Sequence, residues 1–225
     1  MLSFLAQSVP RTETAHQNPL ISREGVMVSQ FLTPEQTNEA FLMRQTFKMD
    51  KLKEFMKKYP NESFAPPYHF HWDQSETFVI EKGSIKVKID DKEKTYYAKD
   101  SPLLIETGAY HTFDIGLDTD EDLVVKVNSQ PEDGATDERF FRNMFSYLDD
   151  CLKAGMNPSL FQLLLFIHDA EASIAIGSVP NSIGKFIGKW VLGYIGGKVI
   201  GEKLLGYKSS YEEYYICGES EKKRQ

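Results

Sequence analysis

Between residues 68 and 130 the chain repeats one short theme. YHFHW, ETFVIEKG, SIKVKID, KTYYAKD, PLLIE, YHTFDIG and DLVVKVN are each a brief run rich in β-branched and aromatic residues. Gly83, Asp90, Asp91, Gly108, Gly116 and the acidic stretch 118–122 punctuate them. Many short strands at near-even spacing argue for an antiparallel sandwich or barrel. Just upstream, AFLMRQTFKM alternates, with Phe41, Met43, Gln45, Phe47 and Met49 on one face and Leu42, Arg44, Thr46 and Lys48 on the other. That is the pattern of a half-buried strand. The intervening DKLKEFMKKYP is expected to be a charged turn region.

After residues 130–134 the pattern changes to helix. Thr136 or Asp137 can cap ERFFRNMFSYLDDCLKA, which stops at Gly155, and Asn157 with Pro158 opens SLFQLLLFIHDAEASIAI. Pro180 breaks that helix, and Ser182 starts a third that runs to about Tyr207. Residues 1–35 are polar, carry Pro10, Pro19 and Pro34, and read as an extended arm with one or two short edge strands. The expected organisation is therefore an N-terminal arm (1–35), a β-barrel (36–130), a helical extension (131–207) and a polar tail (208–225). The fold class is mainly β with a C-terminal α-helical extension.

A formal charge of -7 and no basic stripe exclude nucleic acid as a partner. Two cysteines, Cys151 and Cys217, are too few for a disulfide scaffold and are expected to be free thiols in a reducing compartment. The opening MLSFLAQSVPRTETAHQ lacks the basic start of a secretory signal, so a cytoplasmic location is expected. No window holds the roughly 18 consecutive apolar residues of a spanning helix.

Within the β region, HFHWDQSE places His69 and His71 on the same face of one strand, because side chains there alternate. Glu76 follows His71 after four residues, Gly83 follows Glu76 after six, and Gly108 precedes His111 by three. This resembles the cupin superfamily: the first cupin motif, H-x-H-x4-E-x6-G, falls on His69, His71, Glu76 and Gly83, and the G-x-x-H of the second on Gly108 and His111. Ser63, Asp100, Glu106 and Ile115 depart from the family pattern, but none stands at a ligand position. The resemblance implies a jelly-roll barrel in which His69, His71, Glu76 and His111 hold a divalent transition metal. The family's usual arrangement is a homodimer. Glu76 and His111 are the expected catalytic residues, Glu76 as a base, its pKa raised by apolar surroundings, if it is free of the metal. Imidazole and carboxylate donors suit Fe, Mn, Zn, Ni, Co or Cu alike, and leave open positions for chemistry.

Strand parity then predicts a substrate pocket lined by Phe41, Met43, Gln45, Phe47, Phe78 and Phe113. Such a cavity favours a hydrophobic small molecule. Gln45 is expected either to hydrogen-bond the substrate or to satisfy buried backbone. The same parity turns Tyr68, Phe70 and Trp72 outward, where something must cover them.

In the third helix, Gly184, Gly188, Gly193, Gly197 and Gly201 recur among Ile, Val, Leu and Trp, and lysines interrupt the series. Three readings stand: packing on the barrel or a dimer mate, a membrane-surface contact through residues 181–207, or a lid over the pocket. His168 reads as a satisfied helical histidine. The layout is also similar to single-barrel cupins of fungi that occur beside natural-product pathways, which implies a polyketide-like or terpenoid-like substrate. The leading expectation is a metal-dependent isomerase, cyclase or lyase. A cupin dioxygenase using Fe, Ni or Cu is the alternative, and a non-catalytic binding cupin the third.

Overall fold

The short alternating segments of the unit Asn18–Gly134 become strands of two antiparallel sheets. The computed structural model describes residues 2–32, 34–37, 39, 41–131, 134–176, 179 and 181–216. Cys217, Pro180 and the tail beyond residue 216 lie outside the described residues. The first sheet has six strands: β1 (Leu20–Ser22), β2 (Met27–Leu32), β3 (Leu42–Phe47), β10 (Leu123–Gln130), β5 (Ser75–Lys82) and β8 (Leu103–Ile105), in that spatial order. In the second, β4 (His69–His71), β9 (His111–Ile115), β6 (Ser84–Ile89) and β7 (Lys92–Tyr97) are successive neighbours.

Register decides what faces inward. Ser29 pairs with Gln45, Gln45 with Val125 and Val125 with Ile80; one step along, Phe31, Met43, Val127 and Phe78 form the next row. Residues directly opposite share a face, so these rows build one apolar wall. Phe78 meets Phe113 of the facing sheet with ring centroids 5.3 Å apart. The cupin-type jelly roll expected from the motif is the architecture observed.

Two local expectations need correction. After the short helix α1 (Pro34–Thr37), the charged segment before Pro60 is helix α2, Met49–Lys58, not a turn region. Met49, Leu52 and Phe55, three residues apart, form its buried face, and Asp122 accepts the Met49 N–H at 3.0 Å. The cover that Phe70 was expected to need is present: its ring is buried, 5.3 Å from that of Tyr110. Residues 1–35, read as one arm, divide between the units: β1 and β2 belong to the first sheet, and residues up to 17 belong to the helical unit.

That second unit comprises Met1–Gln17 and Ala135–Gln225. Its core gathers Val9, Tyr147, Cys151, Phe166 and Tyr214. The N-terminal segment is fastened by Asp150, which accepts from the Thr12 N–H at 2.8 Å and the Thr12 hydroxyl at 2.6 Å, and by the Thr14 N–H, which donates to the Glu213 carbonyl at 2.7 Å. Helix α3 spans Gly134–Lys153 and α4 Leu160–Asp169. The sequence reading carries α4 on to Ile176. Instead the chain leaves the helix at Glu171, in the left-handed region at φ 55°, and Ala172–Ile174 is extended as β11.

The glycine-rich segment begins as α5 (Asn181–Phe186) and continues as a π-helix over Ile187–Leu205. Its residues buried from solvent are all glycines: Gly188, Gly193, Gly196, Gly197 and Gly201. An i→i+5 helix needs roughly four to five residues per turn, which the spacing 188, 193, 197, 201 matches. A Cβ on Gly197 would lie 2.9 Å from the Leu164 carbonyl, and one on Gly201 2.9 Å from that of Phe161. The glycine face therefore packs backbone to backbone on α4, a helix of its own unit.

Candidate metal centre

His69 and His111 face each other as register partners on β4 and β9. Their rings lie 4.1 Å apart, and His71, two residues along β4, lies 5.2 Å from His69 and 5.4 Å from His111. One donor nitrogen from each ring can be chosen so that all three lie within 4.8 Å of one another. Strand alternation and cross-strand pairing alone produce this convergence.

The ring orientations have a backbone cause. The Nδ1 of His69 lies 2.8 Å from the Pro67 carbonyl, and that of His111 lies 3.0 Å from the Ala109 carbonyl. A carbonyl only accepts, so each Nδ1 carries a proton, and in the neutral ring each Nε2 keeps its lone pair. Such outer contacts orient metal-binding imidazoles and fix their tautomer. They come from main chain two residues upstream, which no side-chain motif reveals.

Glu76 enters from the opposite sheet, on β5, where it pairs in register with Ser129 of β10 and Ile105 of β8. Its Oε2 lies 3.3 Å from His111 Nε2. The mutually close donor set comprises the three imidazoles, and Glu76 stands at its edge beside His111. Ser129, buried across from Glu76, was not singled out from sequence, although it shares the parity of Val125 and Val127.

Charge and hydrogen bonding leave this cluster incomplete. Both His71 nitrogens are shut off from water without a hydrogen-bond partner, and His111 Nε2, equally buried, faces the Glu76 carboxylate. Such orphaned polar atoms are costly. Burial, then the neighbouring His111 and His71, push His69 down to about 3, and burial pushes His71 down as well. Burial alone would raise Glu76, but the adjacent His111 and the surrounding imidazoles hold its carboxyl at about 2. Burial opposes a proton on His111, and the Glu76 carboxylate overrides it, raising His111. With Nδ1–H given to Ala109, a neutral His111 would turn a lone pair toward an anion. A proton or a cation between them relieves that opposition, so the donor set fits a divalent metal.

The expected pocket residues have varied surroundings. Phe41, Met43, Phe47 and Phe78 are buried in the core and Phe113 is half-buried. Phe47 packs edge-on against Phe64. Gln45 has a side-chain partner one strand away: its amide nitrogen donates to the Ser29 hydroxyl at 3.2 Å. A groove of about 810 Å³ on this unit is lined by Arg44, Glu81, Lys82 and Tyr97 among others, and none of the expected pocket residues borders it.

No protein-family profile matches the chain. It is 39% identical over 155 residues to the "Probable oxidoreductase virH" of Hypocrea virens, covering 67% of this chain and 68% of that protein. It is 30% identical over 216 residues to the "Epoxidase atD" of Aspergillus terreus, covering 92% of this chain and 66% of that protein. The chain thus spans about two thirds of the length of these relatives. Among solved structures, a cupin-superfamily sugar phosphate isomerase from Silicibacter pomeroyi is similar at a TM-score of 0.35 and 14% identity, over 56% of this chain and 73% of that one, a likeness too slight to argue from.

Proposed function

The chain belongs to the fungal oxidoreductase family that includes virH of Hypocrea virens, and from that premise we propose a metal-dependent enzyme of cupin type that oxidises a hydrophobic small molecule in a natural-product pathway. The observation that carries the reading is the convergence of His69, His71 and His111, with both His71 ring nitrogens buried and unpartnered.

A divalent transition metal at these imidazoles would supply Lewis acidity and, as iron, nickel or copper, redox chemistry toward dioxygen. His69 and His71, held neutral by burial, offer lone pairs near pH 7 without first losing a proton. Glu76 is the acid–base candidate: a buried anion on the sheet opposite the histidines, placed to accept a proton from a substrate hydroxyl lying between the sheets. Phe78 and Phe113 supply apolar surroundings that exclude water and favour a hydrophobic substrate. Isomerisation or cyclisation would use the same donors without an oxidant. The names of the relatives, oxidoreductase and epoxidase, favour oxidation.

The test is elemental analysis of protein purified without added ions, coupled to oxygen uptake with phenolic, enolic and alkene precursors. The expected result is a bound transition metal and substrate-dependent uptake that His71→Ala abolishes. Turnover without oxygen would return the reading to isomerisation, and metal-free protein with undiminished activity would overturn it. Ligand binding without turnover would leave a binding module.

A further inference from the structure

The glycine face of the π-helix lies against α4, and bulky side chains of this segment are left exposed. Ile183, Phe186, Trp190, Tyr194 and Ile195 are each between 43% and 61% exposed. Trp190 and Tyr194 are neighbours, with ring centroids 6.0 Å apart. The N-terminal segment extends the surface: the Leu2 N–H donates to the Leu204 carbonyl at 2.6 Å, and Phe4 and Leu5 beside it are exposed. Apolar exposure concentrated in one segment marks an interaction surface.

We infer that the outward face of α5 and the π-helix docks on a membrane surface bearing anionic headgroups. Charge selects this occupant. Residues 181–205 hold Lys185, Lys189, Lys198 and Lys203 against one acid, Glu202, in a chain whose formal charge is -7. Lys198 is anchored to Asp169 at 3.6 Å and to Glu202 at 3.0 Å. A second copy of the chain meeting this face about a two-fold axis would bring lysines onto lysines, whereas an anionic bilayer complements them. Trp and Tyr, each with an apolar body and a polar tip, suit the headgroup level, and lysine stems can lie along the apolar strip with their ammonium groups in water. Among the described residues no helix is long and apolar enough to cross a membrane, so the segment lies along the surface. This inference is independent of the proposed reaction.

The experiment is flotation of the intact chain with phosphatidylcholine vesicles, with and without phosphatidylserine, at low and high salt. The chain is expected to float with the anionic vesicles, and the emission lost in Trp190→Phe should be blue-shifted on binding. Phe186→Asp combined with Tyr194→Asp changes two exposed positions, so folding should persist by circular dichroism while flotation is lost. Lys185→Glu with Lys189→Glu should bind roughly tenfold more weakly. Wild-type protein that stays below the anionic vesicles, or a doubly aspartate-substituted protein that still floats, would overturn the inference. A sedimenting dimer that Phe186→Asp converts to monomer would also overturn it, by assigning the face to a second copy.

Discussion

Glu76 and His111 stand on opposite sheets with 3.3 Å between Oε2 and Nε2, and the other ring nitrogen of His111 faces a backbone carbonyl. The pair can be at ease only with a positive charge between or beside them. Its consequences can be measured without knowing the substrate.

Chelated protein should melt lower than protein given back its metal. At a free ion concentration of about 100 times Kd, linkage adds about 2.7 kcal/mol. Differential scanning fluorimetry with a series of divalent ions should show the shift for wild type and lose it in His71→Ala. Equal shifts in both proteins would mean that the ions bind elsewhere.

Glu76→Gln keeps the shape and removes the charge. Turnover is expected to fall about 100-fold or more if this carboxylate moves a proton. His111 should lose the cause of its raised pKa, which two-dimensional NMR of the ring protons would report. Full activity in this variant would remove Glu76 from the acid–base role.

The metal-free protein should weaken toward acid. His69 falls from 6.5 unfolded to about 3 folded, and His71 also falls. The unfolded chain therefore binds more protons below about 6.5, and stability present above that value is lost as pH drops toward 3. Glu76, held at about 2, acts in the same direction at lower pH. His111 is raised, so it contributes below 6.5 and offsets part of the loss. Urea unfolding of chelated protein between pH 7 and 4 should show the decline, with a flatter slope for His69→Phe.

Gly197→Ala should destabilise the helical unit by about 1–3 kcal/mol, the usual cost of overpacking, because the new methyl would meet the Leu164 and Leu165 backbone at 2.9 Å. Gly155→Ala is the comparison: its Cβ meets nothing within 4 Å and its cost comes from φ 63° alone. Chemical denaturation separates the two, since only Gly197→Ala should also loosen hydrogen-exchange protection in α4.

The barrel and its histidine cluster were legible because both rest on period-2 alternation, which sequence displays directly. His69 and His71 had to share a face, and the glycine and histidine spacings placed His111 on a later strand. Properties set by register were hidden. Ser29 as the partner of Gln45, and Ser129 beside Glu76, depend on which residues of distant strands come opposite. Helix α2 was missed because its buried side is only Met49, Leu52 and Phe55 in a lysine-rich segment. The end of α4 was missed because Glu171 carries no signature of a left-handed turn. The glycines of residues 184–201 announced close packing, but their partner, α4, depends on how the helices stack.

The helical unit draws on residues 2–17 as well as those from 135 onward, whereas the barrel is continuous from residue 18 to 134. Anyone dissecting this gene meets an asymmetry. The barrel can be excised with one pair of primers, but the helices cannot be expressed whole from the downstream half. A short deletion within residues 9–15 would be felt around Asp150 and Glu213, more than a hundred residues away in the sequence.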